Sequence, residues 1–449
     1  MTAQAAPIPE IQVAERHGRK ARLAYGREQR RQVSRKAHAT VHDQKRSFDP
    51  IELLCDCTTG RIARLLPVKY ARMSASPFAF FRGAVSIMAA DLARRPHSNV
   101  MVQLCGDAHV QNLGCFEGPD GRLVFDINDF DETIRGPWEW DVKRMAASII
   151  LAGLESDHSR SECTRAVEAF VSAYCNLIEQ LAELPVLDAA RHQIRRAKKA
   201  PAVSAAIRQA ERASPTDLLA KYTEEAAGGK LHFKNVDHVL WRLEGRQRAE
   251  ALEALPVYRE SLAPDRLHLF GFFHPLDVAF KVVGTGSVAL RDYVVLMQGN
   301  GAKDPLFLQI KQEVASAYAP YLQSSTYTHQ GQRVAEAQRR IQPLSDPLLG
   351  WTRAGEHDFL VRQLNDHKGS VDLTKLRGEG LASLGEIAGE LLARGHARSG
   401  DPLMIKGYVG SPDKIVQAIV TYGLEYATQT QSDFEEFQKK IHSGRIKTA

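Results

Sequence analysis

Two acidic loops that follow short β-rich runs constrain this chain more than any other feature of its sequence. The first loop, CGDAHVQN, carries Asp107 and Asn112 after a run that ends at Leu104. The second loop, NDFDE, carries Asp129 and Asp131 after a further run, and the turn-like EGPDG separates the two runs. The pattern predicts a strand, a polar loop and a hairpin that ends in a pair of acids.

The residue types in these loops suit phosphoryl transfer with a magnesium ion. That reaction uses a carboxylate beside the acceptor hydroxyl, and Asp107 is the candidate catalytic residue. Mg²⁺ prefers hard oxygen ligands and keeps several waters, so Asn112, Asp129 and Asp131 are the candidate metal ligands. His109 is interpreted as a residue that orients the loop rather than as a base.

Two other kinds of metal site, a calcium loop and a binuclear metallophosphatase, fit the spacing of these residues less well. A calcium loop requires glycine at its sixth position, and counting from Asp126 or Asp129 gives Asp131 or Ile134 there. A binuclear metallophosphatase could use the Asp and His of the first loop, but no later GDxxDR or GNH segment completes its ligands. Either loop alone would be typical of an ordinary solvated turn, because short motifs have high false-positive rates.

Composition argues against a membrane-spanning or disulfide-built protein. The 449 residues contain no apolar run approaching the roughly 20 residues that span a bilayer. The six cysteines are scattered without paired CxxC motifs, which disfavours a zinc ribbon or a disulfide framework. The N-terminal segment lacks the charged-then-apolar order of a signal peptide. We therefore expect a cytoplasmic protein without a membrane partner.

The segment before Asp49 is rich in Arg and Lys and poor in aromatic residues. Basic arms can bind nucleic acid. Without interleaved aromatic residues, however, the favoured interpretation is a solvated helix or a mobile arm, and a nucleic-acid partner is not expected.

Later residues form a second group that is typical of nucleotide binding. Gly284 and Gly286 lie in VVGTGSV between two β-rich runs, where a plain hairpin turn is the default interpretation. Lys311 lies inside a third apolar strand, DPLFLQIKQE, where an unpaired ammonium would be costly. In kinases a glycine loop covers the phosphates, and a third-strand lysine contacts them and pairs with a helix glutamate. Glu336 on the next predicted helix is the candidate partner, and Glu313 is the alternative.

The loop motifs are similar to those of a known superfamily. GDAHVQN resembles the HGDxHxxN catalytic loop of aminoglycoside phosphotransferases and of homoserine or choline kinases, with Cys105 in place of the leading His. The resemblance implies that Asp129 is the magnesium aspartate and Asp131 a second acid. It also implies that Trp140 and Asp141 form the pair that anchors the loop. The full GxGxxG of a kinase glycine loop is absent, since Ala289 stands at its third glycine.

A family resemblance extends over most of the chain. From about Asp49 to the C-terminus the chain resembles a bacterial family known as domain of unknown function twenty-two fifty-two, on the segments SPFAFFRG, GDAHVQN, NDFDET, KVVGTGSV, LQIK, LGW and RQLND. That family is grouped with kinase-like proteins, and the resemblance implies no substrate. Arg72 and Arg82, which flank SPFAFF, are candidate substrate or phosphate contacts, although exposed helix arginines are the favoured alternative.

These features together predict an α+β, bilobal, protein-kinase-like fold. The catalytic loop precedes the glycine turn and Lys311, which is the reverse of the usual kinase order, so we expect circular permutation. The predicted units are a basic arm (1–48), a catalytic-loop and helical lobe (49–270), a small nucleotide-binding β lobe (271–372), and C-terminal helices that return to the helical lobe (373–449). Backbone groups around Gln363 would form the hinge that receives adenine.

The predicted function is phosphorylation of an unidentified hydroxyl, on a small molecule or a protein, with ATP and Mg²⁺ as cofactors. One alternative is a nucleotide-binding pseudokinase or regulator without turnover. Another is protein adenylylation, which would use the same lysine and metal ligands. A nucleic-acid-binding protein that acts through its basic arm is a further alternative.

Overall fold

The computed structural model describes residues 18–41, 46–194, 200–212, 215–225, 231–237, 239–322, 327–364 and 369–448. Within these ranges the chain is an α+β protein with two main hydrophobic cores. One core lies among helices, and the other lies on a six-stranded antiparallel sheet.

In the described part of the chain, five α-helices precede the first strand: α1 (Arg19–Gln32), α2 (Pro50–Asp56), α3 (Leu66–Met73), α4 (Pro77–Gly83) and α5 (Val85–Ala93). Ser76 caps α4, because its Oγ accepts a hydrogen bond from the backbone N–H of Ala79 at 3.0 Å. Ala84 then leaves the helical conformation, with φ −114° and ψ 40°. The apolar stretch after Ser76 therefore forms two helices in succession.

The predicted strand, loop and hairpin are confirmed. The strands are β1 (Met101–Leu104), β2 (Leu113–Glu117), β3 (Leu123–Ile127) and β4 (Ile134–Pro137). Strand β1 pairs with β4, and β2 forms the antiparallel hairpin with β3. A short later strand, β13 (Gly369–Ser370), adds to the outer edge of β2.

Long helices form the larger core. The helices that contribute to it are α6 (Trp138–Glu155), α7 (Arg160–Glu183), α8 (Val186–Arg191), α9 (Pro201–Arg212), α14 (Gly380–Ser399), α15 (Pro402–Val409) and α16 (Asp413–His442). Helix α10 (Pro215–Tyr222) packs instead in a small separate core with Phe233 and Phe307. Helix α6 is buried from Trp138 to Gly153, so each charged side chain on it requires an internal partner. A capping box of Ser159 and Glu162 begins α7.

The six-stranded sheet has the order β11-β12-β10-β9-β8-β7, with every neighbouring pair antiparallel. Its strands are β7 (Leu240–Arg242), β8 (His274–Lys281), β9 (Asp292–Gln298), β10 (Pro305–Glu313), β11 (Gly350–Ala354) and β12 (His357–Gln363). The associated helices are α11 (Gly245–Glu260), α12 (Pro264–Phe270) and α13 (Gln330–Ile341), and a small separate hairpin joins β5 (Thr223–Glu225) to β6 (Leu231–Phe233).

The predicted boundary at residue 271 falls inside the sheet unit. Strand β7 precedes that boundary and pairs with β8. On α11, Leu255 and Tyr258 share a core with Val278 and Val295 of the sheet. The boundary was misplaced because β7 has only three residues. So short an apolar pattern does not indicate which distant strand it pairs with.

The basic segment is partly packed against the rest of the chain. Gly26 of α1 lies so close to α15 that a Cβ there would meet the carbonyl oxygen of Met404 at 2.0 Å. Arg22 pairs with Asp401 at 3.2 Å, and Arg35 Nη1 donates to the carbonyl of Val409 at 2.6 Å. The rest of the predicted arm, 1–17 and 42–45, lies outside the described residues. Among the helices of the described ranges, none has the length and apolarity needed to cross a bilayer.

Helix α14 packs against α7 through glycine, and this contact predicts a sensitive position. A Cβ at Gly389 would meet the backbone oxygen of Phe170 at 2.2 Å. We expect Gly389→Ala to lower the free energy of unfolding by about 1–3 kcal/mol, because backbone atoms cannot move aside as a side chain can. Urea unfolding would measure the loss.

Gly18→Ala is the matched control, because a Cβ at Gly18 meets nothing within 4 Å. Equal unfolding midpoints for the two variants would contradict the close approach of α14 and α7.

Candidate active site in the cleft between the two cores

A cavity of about 1500 Å³ lies between the helical core and the sheet. Its wall includes residues of α2 to α5, the loop after β1, the turn between β8 and β9, and strand β10. Predicted site residues from both halves of the sequence line it: Asp107, Asn112, Asp129, Asp131, Gly284, Gly286, Lys311 and Gln363.

Asp141 on α6 anchors the loop that carries Asp107. Its carboxylate accepts hydrogen bonds from the backbone N–H groups of Cys105 at 2.8 Å and Gly106 at 3.0 Å. The same carboxylate lies 3.2 Å from His396 Nε2 on α14, and the other ring nitrogen of His396 lies 2.8 Å from the hydroxyl of Tyr174. The loop is thus fastened to three helices.

Gly106 permits the sharp turn before Asp107. Its φ is +85°, which favours glycine. A Cβ there would also meet the carbonyl oxygen of Glu132 at 2.1 Å. Tyr318 closes the other side, because its hydroxyl donates to the carbonyl of Gly106 at 2.8 Å. The two acidic loops are therefore in direct contact at this glycine.

Asp107 is held by a cation that the sequence did not identify. Oδ1 of Asp107 lies 2.8 Å from Nε and 2.6 Å from Nη2 of Arg144, a side chain of α6 with no solvent exposure. Nε2 of His109 lies 3.5 Å from Oδ2 of Asp107. Burial alone would raise the pKa of Asp107, but Arg144 and His109 outweigh it and hold the pKa well below its usual range. Asp107 is therefore an ionised carboxylate.

Asn112 and Asp129 offer oxygen atoms on the same wall of the cavity. The amide nitrogen of Asn112 donates to the carbonyl of Asp107 at 2.9 Å, which leaves its side-chain oxygen as the atom for a cation. Oδ1 of Asp129 is buried and has no hydrogen-bond partner among the described residues. Burial and the adjacent Asp131 raise the pKa of Asp129.

Lys311 on β10 meets the second acidic loop. Its Nζ contacts both carboxylate oxygens of Asp131, a residue 180 positions away in the chain, and lies 3.8 Å from Oδ1 of Asp129. Burial alone would lower the pKa of Lys311, but these two carboxylates raise it above its usual value. Asp131 remains a predicted metal ligand, and in this structure it is the ion-pair partner of Lys311.

Glu336 is not the partner of Lys311, which corrects the prediction. Its carboxylate accepts hydrogen bonds from the hydroxyl of Tyr327 at 2.7 Å and from the side chain of Gln332 at 2.8 Å. Glu313 lies closer to the lysine and is buried, and burial raises its pKa well above the usual range. Lys311 pairs with Asp131 because the loop that follows β3 places this carboxylate at its Nζ, whereas Glu336 on α13 is bonded elsewhere.

The glycine turn is bound through its carbonyl groups by cations from α3 and the segment before it. Lys69 Nζ lies 3.0 Å from the carbonyl oxygen of Thr285 and 3.3 Å from that of Gly286. Arg61 donates to the carbonyls of Gly286 and Val288, both at 2.9 Å. Gly284 and Gly286 line the cavity, and a Cβ at either would meet nothing within 4 Å.

Two further contacts complete this turn. Arg72 donates to the carbonyl of Val283. On the opposite side, the hydroxyl of Ser287 donates to Asp131 at 2.6 Å. The turn between β8 and β9 is thereby joined both to the helices and to the acidic loop.

The expected hinge donors at the end of β12 are already in use. The backbone N–H of Gln363 donates to the carboxylate of Asp346 at 2.6 Å. The backbone N–H of Leu364 donates to the carbonyl of Phe307 at 2.7 Å, and this bond extends the pairing of β12 with β10. Two N–H groups of the expected hinge therefore have partners within the chain.

Asp346 is a residue of the cavity wall that the sequence prediction missed. It lines the cavity, and burial raises the pKa of its carboxyl group. Its carboxylate occupies the N–H of Gln363 that the hinge prediction assigned to the nucleotide. Asn365 and Asp366, the last two residues of the RQLND segment, lie outside the described residues.

A magnesium ion fits the donors on this wall of the cavity. Within the described ranges, no group of three or more His, Cys, Asp or Glu side chains is arranged as a metal site. Magnesium in phosphoryl-transfer sites, however, is held by one or two carboxylates together with substrate phosphates and water. The buried, unpartnered Oδ1 of Asp129 is such a donor, and a cation beside it would remove the cost of that unsatisfied oxygen.

Several residues of the site were missed from sequence for lack of a motif. Arg144 did carry a signal, because it lies in the apolar helix pattern of VKRMAASIILAGL, where a charge requires a partner. Lys69 lies in the similar stretch LLPVKYARM. Arg61 and Asp346 lie in polar segments that resemble ordinary surface turns, so no sequence signal distinguishes them.

Comparison with family models gives a match over most of the chain. A family model described as "Uncharacterized protein conserved in bacteria (DUF2252)" matches residues 61–440. No curated protein matches the chain, and no solved structure does.

The buried Lys69 predicts how stability varies with pH. Burial and the nearby Arg61 lower the pKa of Lys69 to about 7 in the folded chain, whereas an unperturbed lysine titrates near about 10.4. Between these values the unfolded chain binds a proton that the folded chain does not, so Lys69 makes stability rise with pH. We expect Lys69→Met to remove a rise of up to about 1.4 kcal/mol per pH unit.

Urea unfolding of the wild type and the variant, repeated across this pH range, would measure the two slopes. Lys303→Met, a change at an exposed lysine, should leave the slope of the wild type unchanged. Parallel slopes for the wild type and Lys69→Met would show that Lys69 stays charged in the folded protein.

Proposed function

This chain belongs to the bacterial DUF2252 family, and we propose that it is a kinase-like phosphotransferase that uses ATP and Mg²⁺. The observation that carries the proposal is the approach of Lys311 to Asp129, with 3.8 Å between Nζ and Oδ1. The two residues come from distant parts of the sequence, and a kinase needs its phosphate-binding lysine and its metal-binding aspartate at one nucleotide.

The order of the sheet elements supports a permuted kinase-like arrangement. The glycine turn lies between β8 and β9, Lys311 lies on β10, the second strand after that turn, and α13 follows before β11 and β12. A glycine loop, a third-strand lysine and a following helix form the nucleotide-binding series of kinases. The catalytic loop precedes this series here, and α14 returns to that loop through His396 and Asp141.

The cavity has room and lining for a nucleotide. Its volume of about 1500 Å³ exceeds that of a typical ligand pocket. Val282, Leu306, Leu348 and Leu364 supply apolar wall beside Asp346. An apolar wall with a few fixed polar groups suits a flat base, and Asp346 would accept a hydrogen bond from the amino group of adenine.

Asp129 and Asn112 would hold the metal ion, and Lys311 would neutralise charge on the phosphates. When bound, magnesium would offset the charge that develops on the phosphate oxygens of the nucleotide. The nucleotide would compete with Asp131 for the ammonium of Lys311. Ser287, already bonded to Asp131, remains as a partner for that carboxylate.

Asp107 would position the acceptor hydroxyl. In the transfer, a bond forms between the hydroxyl oxygen and the γ-phosphorus, and the bond from that phosphorus to the bridging oxygen breaks, which releases ADP. The hydroxyl proton passes toward the Asp107 carboxylate and then to solvent. Because Arg144 holds the pKa of Asp107 low, this carboxylate orients the hydroxyl and is a weak proton acceptor.

Nucleotide binding is the first test. We expect Lys311→Met to weaken the binding of ATP–Mg²⁺ by at least about tenfold, or about 1.4 kcal/mol, because the phosphates lose their cation. Glu336→Gln is the matched control and should leave the affinity unchanged, since Glu336 is bonded to Tyr327 and Gln332. Isothermal titration of the full chain would measure both. Equal affinities for the wild type and Lys311→Met would contradict the proposal.

Turnover is the second test. We expect Asp107→Asn to keep the nucleotide affinity of the wild type and to slow ADP formation by about a hundredfold or more, because a neutral amide does not orient the acceptor as a carboxylate does. Liquid chromatography of the products would measure the rate. Nucleotide binding without any product would indicate a regulator without turnover, and release of pyrophosphate in place of ADP would indicate adenylylation.

A further inference from the structure

The helical side of the cavity carries four cationic side chains within a short stretch of sequence: Arg61, Lys69, Arg72 and Arg82. The first three donate hydrogen bonds to carbonyl groups of the turn between β8 and β9. Their hydrogen-bond donors are thus committed to holding that turn. Arg82 on α4 is the member of this group that does not contact the turn.

Arg82 lacks a hydrogen-bond or ion-pair partner among the described residues. Its Nε is buried and has no hydrogen-bond partner among the described residues. Its guanidinium carbon lies 6.0 Å from the ring centroid of Phe78, a cation–π contact. A buried guanidinium nitrogen without an acceptor is costly, and Arg82 itself is half-buried and lines the cavity. Such a group matches the two oxygens of a carboxylate or phosphate through its planar donors.

The position of Arg82 relates it to the acceptor rather than to the nucleotide base. Arg82 and Asp107 line the same cavity. The helix that carries Arg82 also carries Phe81, whose carbonyl accepts a hydrogen bond at 3.2 Å from Arg144, the cation that holds Asp107. His109, beside Asp107, packs edge-on against Phe78 with 6.2 Å between ring centroids. Helix α4 therefore forms the wall next to the residue that would orient the hydroxyl.

We infer that Arg82 binds an anionic group of the acceptor, so that the acceptor is a hydroxyl compound bearing a carboxylate or a phosphate. This inference rests on the proposed phosphotransferase function. It assigns the nucleotide phosphates to Lys311 and the metal ligands, and the anion of the acceptor to Arg82. A neutral or cationic acceptor would leave the guanidinium unpaired beside the reacting group.

The test is a titration of small anions into the full chain already saturated with a non-hydrolysable ATP analogue and Mg²⁺. Inorganic phosphate and acetate serve as separate probes, because they represent the two anions that fit a guanidinium. With the nucleotide site filled, a further anion can report on a second subsite. Isothermal titration gives the affinity of each probe.

We expect phosphate or acetate to bind the wild type, and Arg82→Gln to weaken that binding by about tenfold or more. Arg82→Lys, which keeps the charge, should restore part of the affinity. Arg246→Gln, at a side chain that is 90% exposed, should change nothing. Circular dichroism and thermal unfolding would establish that each variant is folded, and Arg82→Lys carries the test if Arg82→Gln does not fold.

Each remaining outcome separates this inference from the proposed function. If Arg82→Gln binds the probes as the wild type does, or if the saturated wild type binds neither probe, Arg82 is not an acceptor subsite. If Arg82→Gln instead weakens the ATP analogue, Arg82 contacts the nucleotide and the inference is overturned. If the analogue binds to neither protein, the proposed function fails, and the same titration without nucleotide then decides whether Arg82 binds anions.

Discussion

The carboxylate of Asp141 is the constraint on which the arrangement of the cleft depends. It satisfies two backbone N–H groups at the end of β1 and is itself met by His396 from a helix near the C-terminus. Without these bonds, the two amides would be unsatisfied inside the core, where such groups are costly. Because α6 carries both Asp141 and Arg144, one buried helix fixes the backbone of the loop and the charge state of Asp107 together.

Charges alternate through the cleft, and each has a physical cause. Arg144 neutralises Asp107, Lys311 neutralises Asp131, and Asp129 between them keeps a buried oxygen without a partner among the described residues. A polar atom that already has an internal partner gains little from binding a ligand, whereas an atom without one gains a hydrogen bond or an ion pair. Oδ1 of Asp129 and Nε of Arg82 are among the atoms of the described cleft that lack a hydrogen-bond partner, so a cation would be favoured beside the first and an anion beside the second.

Sequence reasoning succeeded where the pattern was local. The hairpin of β2 and β3, the three strands β8 to β10, the cap at Ser76 and the position of Lys311 inside a strand follow from residue types within short windows. The loop resemblance also correctly implied that Asp141 anchors the loop. Nothing local, however, shows that β7 joins the sheet, because strand pairing depends on partners that are distant in sequence.

Sequence reasoning failed where several partners of the same chemistry competed. Glu336, Glu313 and Asp131 are all acids that could pair with Lys311, and only the packing of the β3 hairpin end against β10 selects Asp131. The partner of the Gln363 N–H was missed for a similar reason, because Asp346 lies in a segment with no motif and still accepts the hydrogen bond from that N–H. Three-dimensional proximity, rather than residue type, decides such pairings.

The attachment of the glycine turn to α3 has a kinetic consequence. Lys69 and Arg61 bind the turn from one side, while Ser287 ties it to the acidic loop on the other. The two walls of the cleft therefore cannot swing apart as rigid halves unless these hydrogen bonds break together. Ligand exchange that required the two walls to separate would therefore need the loss of several hydrogen bonds at once.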